Sequence, residues 1–347
     1  MLTSVLDQFS KWFLHHQSFA AYIEPLIQVV KPAWRAGFFR AQIVDVHALS
    51  GQFLSVTLKP NKQWRAHIAG QHISLTLELN GRLLTRVFTI ACSPAQYKAT
   101  GLLRVLIKTN EQGRFTAQLQ STLKAPSWCN ISAPSGDFVF KSWHKASTFV
   151  AGGSGITPML AMLSQQLANT QHTIKLLYFA KANEHQCVEE LAALAERYAH
   201  FSYLLLTRDM SPQLTTHINI DDNPDIYCCG PAAFMQKIAH FANQHHLTYY
   251  QEAFGLALPS LNDDSQFTVK INNDHHDVAA NEVLLTQFEA KKLPVQRGCG
   301  IGICHQCQCI KKTGVVRNLK TGELSDNGEQ LIQLCVSQAV SDLELQL

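Results

Sequence analysis

The stretch Cys299-Gly300-Ile301-Gly302-Ile303-Cys304-His305-Gln306-Cys307 carries three thiols in nine residues, and a fourth, Cys335, follows after a long gap. This C-x4-C-x2-C spacing with a distant fourth cysteine is the arrangement that holds a 2Fe-2S cluster. Three thiolates have to converge on one small inorganic core from a single tight loop, and the fourth arrives from another segment to close the cage. Gly300 and Gly302 are expected to supply positive φ and to keep side chains out of the loop interior. His305 either tunes the potential through hydrogen bonding or is simply exposed. A structural zinc site is the alternative, since four thiolates also suit zinc and Cys309 offers a spare ligand. Zinc sites, however, usually pair two short C-x2-C clips, whereas here one compact loop carries three thiols. The cluster reading predicts an electron carrier.

On that motif and the late Cys335, residues 266–347 resemble a plant-type ferredoxin domain. The resemblance implies a small mixed sheet packed on a helix, an α+β (β-grasp) fold, with Cys299, Cys304, Cys307 and Cys335 as the iron ligands. The run Leu-Ala-Leu-Pro-Ser-Leu-Asn-Asp-Asp-Ser over 256–265 has the proline and polar turn residues of a linker.

Outside this region, 347 residues with 46% apolar content leave room for two or three domains that each bury a core. The net charge of +3 and the lack of a Lys/Arg run give no support to nucleic-acid binding. Ten cysteines without a signal-peptide pattern fit a reducing cytoplasm better than a disulfide scaffold. Cys92, Cys129, Cys187 and Cys228 read as small buried fillers. No segment is long and apolar enough for a transmembrane helix. Residues 1–35 nevertheless place Leu2, Val5, Phe9, Trp12, Phe13, Ala20, Ile23, Leu26 and Ile27 at largely helical intervals, interrupted by Pro25. This amphipathic arm either packs on the following domain or docks on a membrane surface or partner.

Over 36–143 the periodicity changes to two. Leu54, Val56 and Leu58 flank Ser55 and Thr57, and Ile73, Leu75, Leu77 and Leu79 interleave with polar residues before Asn80-Gly81, a strong hairpin signal. Short strands with such turns predict a small antiparallel barrel. On the return strand, Arg86-Val87-Phe88-Thr89 resembles the R-x-Y-S/T flavin signature of the ferredoxin-NADP reductase superfamily, with Phe in place of Tyr. The chemistry suits it: an arginine fork grips a phosphate, an aromatic ring stacks on the isoalloxazine, and a hydroxyl reaches flavin N5. Ile107-Lys108 ends a further strand, and Gly113-Arg114-Phe115-Thr116 then opens a helix, a second phosphate site of the family type.

Over 144–255, an apolar strand runs into Gly152-Gly153-Ser154-Gly155-Ile156-Thr157-Pro158 and a helix. The glycines allow close approach of an anion, Thr157 is predicted to cap the helix, and Pro158 suits its first position. Strand and helix patterns then alternate at 174–180, 188–198, 203–206, 226–228 and 232–242, which predicts a doubly wound α/β, Rossmann-like domain. The heptapeptide is similar to the nicotinamide-binding half of the same superfamily. That resemblance implies cofactor contacts from Gly152, Gly153, Gly155, Thr157 and Pro158, and from Cys229-Gly230-Pro231, whose cysteine lies beside the nicotinamide ring. It also implies that Glu252-Ala253-Phe254 closes over the flavin. Thr89, Cys229 and Glu252 are thus the candidate catalytic residues. Arg208 is the candidate contact for a 2′-phosphate, with Lys181 second, which leans the nucleotide toward NADPH over NADH.

The order of cofactors implies hydride passing from NAD(P)H to FAD and single electrons passing on to the cluster. In domain order, and in Leu58 through Trp64 and Ala69 through His72, the chain is similar to bacterial reductases that feed membrane fatty-acid desaturases. This implies a membrane di-iron desaturase as partner and a place in the cytoplasm at the inner face of the membrane. The reductase component of a soluble Rieske-type or other multicomponent oxygenase is the alternative. A non-catalytic redox-sensing or metal-binding module is a third reading.

Overall fold

The computed structural model describes residues 5–6, 8, 10, 19–36, 39–79, 82–109, 119, 123, 125–142, 144–207, 214–253, 265–303 and 305–347. The expected sites at Gly113, Thr116, Arg208, Phe254 and Cys304, the Asn80-Gly81 turn and nearly all of the linker lie outside them. The chain divides into two compact units. The first comprises Met1–Leu83, Val87–Cys229 and Ile238–Gln251; the second comprises Leu84–Arg86, Gly230–Lys237 and Glu252–Leu347.

In the first unit, helix α1 (Phe19–Val30) precedes the strands β1 (Phe39–Leu49), β2 (Phe53–Pro60), β3 (His72–Leu79), β4 (Arg82–Thr89), β5 (Leu103–Lys108) and β6 (Ser127–Ile131). The helix runs through Pro25 without the expected interruption. Pro25 stands in its exposed row, where the hydrogen bond that a proline removes leaves an acceptor for water to satisfy. The strands form one sheet in the order β4-β3-β6-β1-β2-β5. Its two edges meet where Ile90, just past β4, bridges Val105 of β5, so the sheet curls into a barrel. A short helix α2 (Pro94–Thr100) caps this closure; Ser93 and Gln96 form a reciprocal capping box at its start.

The other half of this unit is a five-stranded sheet in the order β11-β10-β7-β8-β9, with β7 (Ser147–Gly152), β8 (Ile174–Ala180), β9 (Phe201–Thr207), β10 (Asp225–Gly230) and β11 (Tyr249–Ala253). β10, β7, β8 and β9 pair in parallel. Helices α3 (Ile156–Gln166), α4 (Val188–Arg197) and α5 (Ala232–Gln244) supply the crossovers. The strand order reverses between β7 and β10, which is where open α/β sheets bind ligands.

Barrel and α/β half share a core. Phe53, Leu106, Phe138 and Phe140 belong to the same buried cluster as Phe149, Ile156, Met159 and Tyr227. This explains a departure from the expected alternation in β2: Ser55, predicted on a solvated face, is buried. Polar links complete the joint. Arg104 makes a two-pronged contact with Glu190 at 2.5 and 2.8 Å. Gln186 Nε2 donates to the Ser50 carbonyl at 2.9 Å. Gly51, at φ 64°, lets the β1–β2 turn approach Glu184 so closely that a Cβ there would lie 2.7 Å from its Cγ.

The second unit holds a mixed sheet in the order β13-β12-β18-β14-β16, with β12 (Gln266–Ile271), β13 (Asp274–Ala279), β14 (Gln308–Thr313), β16 (Gln330–Gln333) and β18 (Leu343–Gln346). β12 and β18 are parallel and the other pairs antiparallel. A small ribbon of β15 (Val316–Asn318) and β17 (Ser337–Ala339) lies beside it in the chain. Helix α6 (Leu284–Ala290) buries Leu284, Leu285 and Phe288 against Val269, Ile271, Leu343 and Leu345, a core with its own members.

Candidate functional site

The nucleotide-binding turn follows from the composition of its segment. β7 is buried along its whole length and ends at Gly152. Gly153, at φ 56°, begins a 3-10 turn over Gly153–Gly155, and α3 starts at Ile156. The expected cap is corrected by this turn. Gly155 occupies the N-cap position without a side-chain bond, Ile156 is the first helical residue, and Thr157 and Pro158 lie inside the first turn. The extra turn of glycines starts the helix two residues early, so the Thr157 hydroxyl donates instead to the Ser154 carbonyl at 3.0 Å. The first amides of α3 therefore have no side-chain cap, which suits a pyrophosphate. Across the switch point, Cys229 of β10 stands opposite Ala151 of β7 and is fully buried. Gly230 and Pro231 follow directly in the chain.

On the barrel, the signature residues divide. Thr89, at the end of β4, is buried, and its hydroxyl has no hydrogen-bond partner among the described residues. An unpaired buried hydroxyl is costly, so this atom suits a cofactor acceptor or donor. Phe88 is half-buried. Ile107 is buried within β5, opposite Leu54. Lys108 pairs with Glu184 at 3.0 Å and lies 5.4 Å above the Phe53 ring. Lys181 is exposed and 3.7 Å from Glu184. Within the second unit, Arg86 Nη1 donates to the carbonyls of Thr85 and Gly298, both at 2.7 Å, so here the predicted phosphate fork lies beside the cysteine loop. Gln306 Nε2 donates to the Thr85 hydroxyl at 3.2 Å. Neither Gln306 nor the Gly298 carbonyl was marked by any local pattern. Glu252 is half-buried on β11.

The two glycines of the cysteine loop take the positive φ expected of them. Gly300 and Gly302 have φ of 78° and 74°, and a Cβ at Gly302 would lie 2.7 Å from Val336 Cγ1. Amides point at sulfur: Gly302 N donates to Cys335 Sγ at 3.2 Å, and Ile301 and Ile303 donate to Cys299 Sγ at 3.5 and 3.4 Å. Leu334 N bonds the Cys307 carbonyl at 3.1 Å and ties the distant segment to the loop. A hydrogen bond from Cys335 holds the Cys307 thiol down, to about 7, and raises that of Cys335 in turn. Among the described residues, no three His, Cys, Asp or Glu side chains are grouped so as to hold an ion, Cys304 being outside them. The soft donor set and the N–H···S contacts fit an iron-sulfur cluster. Burial pushes the thiol of Cys309, the spare ligand of the zinc reading, up to about 12. Burial likewise pushes the thiols of Cys129 and Cys228 up to about 12, as inert fillers should be, whereas Cys187, expected as a buried filler, is only half-buried, its thiol raised by burial and by Glu190. His305 accepts from Gln308 and Gln333 at 3.1 Å each.

Residues 41–140 match the Oxidoreductase FAD-binding domain family, and residues 149–240 match the Oxidoreductase NAD-binding domain family. The chain is an oxidoreductase that carries an FAD-binding and an NAD-binding domain. Among its relatives, the NADPH oxidoreductase of Mycobacterium tuberculosis is 26% identical, over 98% of this chain and 94% of its own. The glycine betaine monooxygenase reductase subunit of Pseudomonas aeruginosa is 24% identical, over 79% and 85%. The solved structure of phthalate dioxygenase reductase, described as modular, for electron transfer from pyridine nucleotides to 2Fe-2S, shares the fold. It superposes with a TM-score of 0.60 at 21% identity, over 90% of this chain and 98% of that one.

Proposed function

We propose that the protein passes electrons from NAD(P)H through FAD and a 2Fe-2S cluster to an oxygen-activating protein, as the reductase component of a multicomponent oxygenase. The observation that carries this reading is the cysteine loop, with backbone amides aimed at Cys299 and Cys335, in a chain that also holds the flavin and nicotinamide domains. Relatives that are named as oxygenase reductases favour this partner over the desaturase expected from sequence, which they do not support.

FAD, when bound, turns a two-electron hydride donor into a source of single electrons. The residues' task is positioning. The Thr89 hydroxyl is assigned to flavin N5, Phe88 to the ring face, and Lys108, Gly113 and Thr116 to the phosphates, while Arg86, the phosphate fork expected from sequence, would have to give up its bonds to the Thr85 and Gly298 carbonyls to join them. Gly152, Gly153, Gly155, Thr157 and Pro158 cradle the nucleotide pyrophosphate. Cys229, with Gly230 and Pro231 behind it, lines the nicotinamide, and Glu252 and Phe254 close the site. Arg208 is the proposed reader of the 2′-phosphate, and thus of NADPH. Cys299, Cys304, Cys307 and Cys335 are the proposed iron ligands. The test is an anaerobic titration with NADPH, and separately NADH, followed by visible absorption. Bleaching of both flavin and cluster bands is expected. A colourless or unresponsive protein would return the reading to a zinc-holding or sensing module.

A further inference from the structure

Helix α1 presents an apolar row to solvent, which a helix meant for water would keep covered. Its exposed row is Tyr22, Pro25, Leu26, Val29 and Val30. Leu26, Val29 and Val30 are 74, 81 and 80% exposed, and Tyr22 50%. The polar residues are committed within the unit. Gln28 Nε2 donates to Glu24 Oε1 and to the Trp34 carbonyl, both at 2.9 Å, and Glu24 Oε2 accepts from the Ala36 amide at 3.1 Å. These bonds tie the helix to Trp34 and Ala36 in the segment that follows it. Just past its C-terminus opens a cleft of about 490 Å³ lined by Lys31, Trp34, Lys59, Lys62 and Trp128 among others, with no Asp or Glu among the described residues of its wall. The three lysines are exposed.

We propose that this face seats on an anionic phospholipid surface. Twelve residues cannot span a bilayer, and among the described residues no helix can. An apolar helical row can instead lie in the interface plane, with tryptophans at headgroup level and lysines against lipid phosphates. One weak apolar anchor holds poorly, and the cation cluster supplies the second signal that stable attachment requires. A second copy of the chain is the less fitting occupant. In a two-fold pair the patch meets itself, and its lysines would face lysines with no carboxylate between them. The proposal concerns where the protein sits and is independent of which acceptor it serves.

Flotation of the full-length protein with phosphatidylcholine vesicles, with and without phosphatidylglycerol, tests it. Binding is expected only where phosphatidylglycerol is present. Exchanging Lys31→Glu, Lys59→Glu and Lys62→Glu together is expected to weaken binding about a hundredfold. Leu26→Ser, Val29→Ser and Val30→Ser together are expected to weaken it at least about tenfold. Both variants should retain NAD(P)H–ferricyanide turnover, which shows that they are folded. Failure of the unaltered protein to float, or flotation indifferent to either variant, overturns the proposal. So does a dimer that the serine variant converts to monomer in the absence of vesicle binding.

Discussion

Thr89 is the residue at which cost and use can be separated by measurement. Its buried hydroxyl lacks a partner among the described residues, so Thr89→Val should stabilise the flavin-free chain by about 1 kcal/mol in a melting experiment. The same exchange should slow flavin reduction by NAD(P)H about ten- to a hundredfold in stopped flow, because the hydrogen bond assigned to it is lost. His67 gives a pH signature. Its Nε2 bonds the Cys92 carbonyl at 2.8 Å while Nδ1 is buried without a partner among the described residues. Burial lowers its pKa below the ordinary 6.5, the bond to Cys92 acting the other way. Below pH 6.5 the unfolded chain therefore takes up a proton that the folded chain refuses, and stability is lost as pH falls. The thermal midpoint should drop between about pH 7 and 5, and His67→Gln should flatten that limb.

At the scale of elements, local pattern was a good guide wherever one chain segment decides the structure. The two-residue period over 54–58 and 73–77 produced strands, and the glycines at 152, 153 and 155 produced a strand–turn–helix. The helix start was misplaced because a 3-10 turn and a capped helix share the same small and polar residues. What could not be read locally is what a distant segment covers. Ser55 looks solvent-facing until the α/β half is laid over β2, and the pairing of Arg104 with Glu190 joins residues 86 positions apart. Gly70 belongs to the same class. At φ 101° it lets the β2–β3 connection approach so closely that a Cβ would lie 2.0 Å from the Phe138 carbonyl oxygen. Gly70→Ala should therefore destabilise the barrel by about 3 kcal/mol or more, measured by chemical denaturation.

For the molecule as a whole, the candidate centres differ in how far the chain declares them. In the cysteine loop the positive φ of Gly300 and Gly302 was legible, because glycine placement is a local demand. The contacts of Arg86 with Gly298 and of Gln306 with Thr85, each more than 200 residues apart, were not. If the two centres act in series, Cys299→Ser should abolish the cluster absorption and reduction of protein acceptors. It should leave NAD(P)H–ferricyanide activity within about twofold, since the flavin and nucleotide halves rest on another core. That shared core has a bearing on recombination. Phe53, Leu106 and Phe140 interlock the barrel with Phe149 and Tyr227, so a chimera that exchanged either half alone would join two surfaces not shaped for each other. Val269, Phe288 and Leu345 close around one another, which makes the region from Gln266 onward the natural unit of exchange, and the barrel and α/β half a block inherited together.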